Sequence, residues 1–188
     1  MGQKKAQITL FILIGLVILF LVLLLLYGLR KEQPEEQLEL QFDRATINNF
    51  IVDCLKDTSE KGLVIIGKQG GYLDPKSYIT SEKYKIAYLY DLKTSKVPSK
   101  KAVEVDLAGY IDENMLICLK NFADFERQGW RVTYEAPKST VQLNERDITV
   151  TQQFLVSVQK ETALTFDEFS TSVPVRMLYL LNITNEIV

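Results

Sequence analysis

Hydrophobic and polar positions along this chain fall into three regimes. From Ile8 to Tyr27 there are 20 residues without a charge, and only Thr9 and Gly15 dilute the Ile, Leu, Val and Phe. At about 1.5 Å per residue such a helix spans about 30 Å, the hydrocarbon thickness of a bilayer. In lipid every backbone amide must be paired within its own segment, so the run is expected as one transmembrane helix over residues 8–29. A secretory signal peptide has a shorter apolar region ending in small residues. Here the run closes on Leu26, Tyr27, Gly28, Leu29 and Arg30, without an A-x-A pattern, and retention as an anchor is expected.

The second regime has helical spacing. After an acidic, glutamine-rich stalk over 30–42, with Pro34 opening a helix, the residues Ile47, Phe50, Ile51, Cys54, Leu55 and Thr58 recur as a buried stripe. This helix is predicted to run to about Ile66 and stop at Gly67. A second is predicted over Ala102–Arg127, with Ser99 as its cap and Val103, Leu107, Ile111, Met115, Cys118, Phe122 and Phe125 as its apolar stripe. Between them, Gly67 to Pro75 reads as a turn, Lys85 to Leu92 as a strand and 94–101 as a polar connection.

The third regime alternates. Trp130 to Glu135, the pair Val141 and Leu143, the pair Ile148 and Val150, and Phe154 to Val158 each read as a strand. Leu164 to Phe169 adds an edge strand. A last helix is predicted over Val173–Val188, with Pro174 in its first turn and Met177, Leu180, Leu181, Thr184 and Ile187 along one side. It stops on apolar residues without a cap, so the chain either frays there or continues in a longer natural protein. The fold class is therefore α+β: an N-terminal transmembrane helix, two long amphipathic helices packed on a small antiparallel sheet, and a C-terminal helix. The domain organisation is a tail at 1–7, the span at 8–29, the stalk at 30–42 and one extracytoplasmic domain at 43–188.

Composition narrows the chemistry. All 24 acidic residues follow the anchor, against 20 of the 22 basic ones, which gives no electrostatic reason to expect nucleic acid. There is no histidine, so imidazole-dependent catalysis and metal binding are excluded. The two cysteines, Cys54 and Cys118, are too few for a Cys/His zinc site. Both lie on apolar helical stripes, and the segments Asp53-Cys54-Leu55-Lys56-Asp57 and Ile117-Cys118-Leu119-Lys120-Asn121 echo one another. Two helices packed side by side, with a Cys54–Cys118 disulfide between them, are expected in an oxidising compartment.

Other motifs are read as structural. The glycines of Gly67–Pro75 lack the following Lys-Ser/Thr of a phosphate loop and the strand that should precede it. The carboxylate pairs Asp112/Glu113 and Asp167/Glu168 are adjacent in sequence and are expected on solvated faces. Asn182-Ile183-Thr184 matches a glycosylation acceptor inside a predicted helix, as a chance match. Catalytic, cofactor-binding and metal residues are therefore expected to be absent, and the chain is not expected to be an enzyme.

Lys4-Lys5-Ala6-Gln7-Ile8, followed at once by the apolar run, resembles the prepilin-type (class III) signal of archaeal type IV pilin-like surface proteins. The resemblance implies cleavage on the cytoplasmic side between Ala6 and Gln7, and packing of the apolar helix into a filament or membrane complex. Phe11 stands where many such pilins carry a glutamate. Beyond the anchor the chain also resembles archaeal single-pass membrane proteins with paired cysteine-bearing helices. With Lys4 and Lys5 ahead of the span and a short tail, the N-terminus is expected in the cytoplasm and the domain outside. The expected partners are membrane lipid through the N-terminal helix, and another surface protein or a second copy of the chain.

Overall fold

The computed structural model describes residues 13–25, 35–81 and 83–188, with side chains from Arg44 onward in the second stretch. The chain divides into two compact units, Met1–Asp43 and Arg44–Val188. In the first, residues 13–25 form helix α1, apolar throughout, with every side chain exposed. The two ends of the predicted span, the Ala6 and Gln7 positions and residues 30–34 of the stalk lie outside the described residues. Among the described residues no helix is long and apolar enough to cross a membrane.

The second unit is α+β, as its patterning predicts. Helix α2 (Glu35–Lys68) buries Ile47, Ile51, Cys54, Leu55 and Thr58. It continues past the predicted stop and takes in Gly67; the chain reverses at Gly70 and Gly71, whose φ angles are 76° and 96°. A Cβ on Gly71 would lie 2.6 Å from Pro98 Cγ, so conformation and space both require glycine there. The predicted single strand at 85–92 is instead parts of two small hairpins, β1 (Tyr78–Ser81) with β2 (Tyr84–Ala87), and β3 (Tyr90–Asp91) with β4 (Thr94–Ser95). Their strands are too short and too exposed to show a hydrophobic alternation.

Helix α3 (Lys100–Cys118) starts where expected, the Ser99 hydroxyl accepting the Ala102 N–H at 3.2 Å. It lies antiparallel to α2. Cys54 faces Cys118, and a Cβ on Gly62 would fall 2.7 Å from Leu107 and Tyr110, so the helices meet closely at that glycine. The predicted continuation to Arg127 is wrong. Lys120, Asn121 and Phe122 adopt φ of 49°, 49° and 59°, which breaks the helix into a 3₁₀ turn and the short α4 (Ala123–Glu126). Phe122 is fully buried at the break.

The main sheet is antiparallel. β5 (Arg131–Tyr134) and β6 (Lys138–Leu143) lie end to end on one side of β7 (Ile148–Gln159), and β8 (Ala163–Val173) runs along the other. The two strands predicted at Ile148 and Phe154 are one, continuous through an irregularity between Gln153 and Val156. β8 reaches Val173, so the last helix, α5 (Met177–Ile187), starts later than its spacing suggests, and Pro174 precedes it. Alternate β7 side chains from Ile148 to Val158 are buried and form the core with α2 and α3. Within it a run of rings links Phe50, Phe122, Phe154 and Phe169, neighbouring centroids 6.2 to 6.5 Å apart.

Helix α3 also covers the free edge of β6. Glu104 Oε1 accepts the Leu143 N–H at 3.1 Å, and Asp112 Oδ1 accepts the Ser139 N–H at 2.7 Å. Eight helical residues rise about 12 Å, close to the length of four strand residues, so positions 104 and 112 match the outward amides of 143 and 139. A helix that lends carboxylates to an edge strand blocks its pairing with another chain. Burial pushes the Asp112 carboxyl above its ordinary value, against the lowering pull of Ser139 and Lys138. A raised carboxyl pKa means that the folded state holds the proton longer, so its contribution weakens as pH rises from about 4. Asp112→Asn keeps an acceptor and removes this dependence. The stability of the variant relative to the parent is expected to increase with pH over that window, as read from denaturation midpoints; a constant difference would refute the assignment.

Candidate functional site

The sequence-predicted residues come together in one instance. Cys54 on α2 and Cys118 at the end of α3 stand at disulfide distance, Cα atoms 5.7 Å apart, and form the bridge. Cys54 is buried and Cys118 half-buried. The carboxylates do not converge. Asp112 serves the β6 edge while Glu113 faces solvent, and Asp167 and Glu168 are both exposed on β8, the strand expected over Leu164 to Phe169. Asn182 is exposed in mid-helix, with the Thr184 hydroxyl donating to the Leu180 carbonyl at 2.8 Å. Among the described residues no group of three or more Cys, Asp or Glu could hold a metal ion.

Two regions at opposite ends of the unit offer surface chemistry. Near the start of β5, Glu126, Gly129, Trp130, Arg131, Gln159 and Lys160 line an open crevice of about 530 Å³. The face of Trp130 is already taken by the Lys160 ammonium, 5.3 Å from the ring. The crevice is polar and shallow and lacks a converging set of buried groups.

The other end is apolar. A groove of about 250 Å³ runs between α5 and the α2 turn, with Gly70, Gly71, Leu89, Val97, Met177 and Leu181 among its walls. α5 buries Met177 and Leu181, but Leu180 and Ile187 of its predicted stripe are 55% and 79% exposed. Beside it the hairpins present Tyr78, Ile79, Ile86, Tyr88 and Tyr90 to solvent. Exposed apolar side chains in this number on one lobe of a folded unit point to a place where something else binds.

Gln69 positions this lobe, and sequence reasoning misses it. It is 6% exposed, its side-chain Nε2 donates to the Tyr72 and Leu73 carbonyls, and its Oε1 accepts the Lys85 N–H at 3.0 Å. Its own carbonyl accepts the Ala87 N–H at 3.2 Å, so one residue binds the end of α2 to the outer edge of β2. A legible signal was the concentration of tyrosine: five of the nine lie between Tyr72 and Tyr90.

No protein-family model, curated protein or solved structure matches the chain significantly. The functional reading therefore rests on this chain's own residues.

Proposed function

We propose that the chain is a membrane-anchored interaction module of the cell surface, N-terminus in the cytoplasm and the 44–188 unit outside, and not an enzyme. The observation that carries the reading is α1: thirteen consecutive apolar residues with every side chain exposed, a state that water does not tolerate and lipid does. It sits inside the longer charge-free run of Ile8 to Tyr27. The Cys54–Cys118 bridge supports an oxidising compartment for the main unit. The groove beside α5, with Leu180 on its wall and Ile187 exposed further along the helix, supports binding of another surface protein or of a second copy.

A second reading is favoured by Lys4-Lys5-Ala6-Gln7-Ile8 lying directly before the apolar run: a pilin-like archaeal subunit cut between Ala6 and Gln7. In that reading the apolar helix packs against its copies.

In cells making the full chain, the protein is expected to stay in membranes through an alkaline wash. Protease added to intact cells is expected to remove the 44–188 unit, and a photo-crosslinker at position 184 to yield an adduct that Leu180→Asp abolishes. Release by the alkaline wash, or complete protection from external protease, would defeat the proposal.

A further inference from the structure

Charge is unevenly placed in this chain. Eight lysines between Lys68 and Lys101 stand against three acidic residues, Asp74, Glu82 and Asp91, whereas residues 102–188 hold thirteen acidic and seven basic ones. The basic segment is also the one rich in tyrosine. At its apex Leu92 and Lys93 form the two-residue loop between β3 and β4, with φ of 47° and 66°. Left-handed backbone at both loop positions selects Asn-Gly, since it spares the strain that a side chain suffers there. Here a leucine occupies the first position and is 91% exposed.

Neither strain nor exposure is explained by folding. Leu92 contributes almost nothing to a core, and the turn would be better made by other residues. A local rule broken without a packing return points to a functional role.

The chemistry around the apex indicates what it meets. Leu92 is the most exposed side chain there, Tyr90 and Tyr88 are about half exposed, and Lys93 and Lys96 are exposed beside it. An apolar tip with tyrosines and ammonium groups about it is the set of side chains that a bilayer interface takes up, at the acyl chain, the headgroup boundary and the phosphate. The apex is convex, so it offers a small ligand no cleft. Asp91 opposes an anionic surface, but the lysines outnumber it.

We infer that the β3–β4 turn is a lipid-insertion loop, with Leu92 entering the acyl boundary of an anionic bilayer while Lys93 and Lys96 engage its headgroups. The inference goes beyond the interaction-module reading and does not depend on it.

The variant Leu92→Asn with Lys93→Gly separates function from folding, because it supplies the sequence that the turn prefers. Full-length chain in neutral phosphatidylcholine nanodiscs carries Thr94→Cys labelled with an environment-sensitive fluorophore, and vesicles are added. Vesicles containing phosphatidylglycerol are expected to shift the emission to the blue; phosphatidylcholine alone is not, and molar salt is expected to reverse the shift. In the double variant the hairpin persists or gains stability, while partition onto anionic vesicles falls at least about tenfold, from loss of one apolar side chain and one lysine. No shift on anionic vesicles, or equal partition of parent and variant, would overturn the inference. So would a shift that grows with protein concentration in the absence of vesicles, since it would show contact between copies.

Discussion

Removing the Cys54–Cys118 bridge is expected to lower the stability of the 44–188 unit by about 4 kcal/mol in the chain-entropy account. The residues are 64 apart in sequence, so the cross-link removes a large loop-closure entropy from the unfolded chain. It is placed where it also holds the folded state. Cys118 ends α3, and the next residues include three consecutive left-handed conformations without a glycine. Such conformations cost about 1–2 kcal/mol each and persist only when their surroundings enforce them. The bridge anchors one side of that turn to α2, and Phe122 anchors the other. Denaturant unfolding of Cys54→Ala/Cys118→Ala in the full-length chain, followed by near-ultraviolet circular dichroism, measures the loss. A difference below about 1 kcal/mol would mean that the bridge constrains little that packing does not already fix.

Phe122→Ala is expected to cost about 3–5 kcal/mol. The ring is fully buried and has four aromatic neighbours, Phe50 on α2, Phe125 on α4, and Tyr134 and Phe154 on the sheet, at 5.5 to 6.5 Å between centroids. It therefore joins the helical layer to the sheet at the point where α3 breaks. Phe122→Gly separates packing from backbone strain. Glycine leaves the larger cavity but is at ease at φ 59°, so its cost is expected to match that of alanine and not exceed it. If glycine proves worse by the usual margin, the left-handed turn is not strained. The two predictions are coupled: Cys118 and Phe122 flank one turn, so combining the substitutions is expected to cost less than the sum of their separate effects.

The long helices and their buried stripes were legible because both have a face that must be apolar over many turns. The cysteine pairing was legible for the same reason, each thiol lying on such a face. The break at 119–122 was not. Leu119-Lys120-Asn121-Phe122 contains no glycine or proline, and its helical spacing continues the apolar stripe, so nothing local announces the three left-handed residues. The hairpins at 78–95 merge into one strand in the sequence because strands of two to four residues, none of them fully buried, carry no alternation. The start of α5 differs because Val173, four residues before Met177, fits the helical spacing as well as the end of a strand. The carboxylates that cover β6 depend on a helix-to-strand register that local sequence does not encode. The tyrosine and lysine concentration around Leu92 was, by contrast, plainly visible in composition.

The most direct test of the account is the intact mass of the chain taken from its native membranes, without reductant and after alkylation of free thiols. The account predicts recovery in the membrane fraction with neither Cys54 nor Cys118 alkylated, as a disulfide-stapled unit outside the cytoplasm requires. A mass lacking residues 1–6 in that same state would select the pilin-like form of the reading. Two alkylated cysteines would contradict it, placing the 44–188 unit in a reducing compartment and removing the bridge on which its placement outside rests.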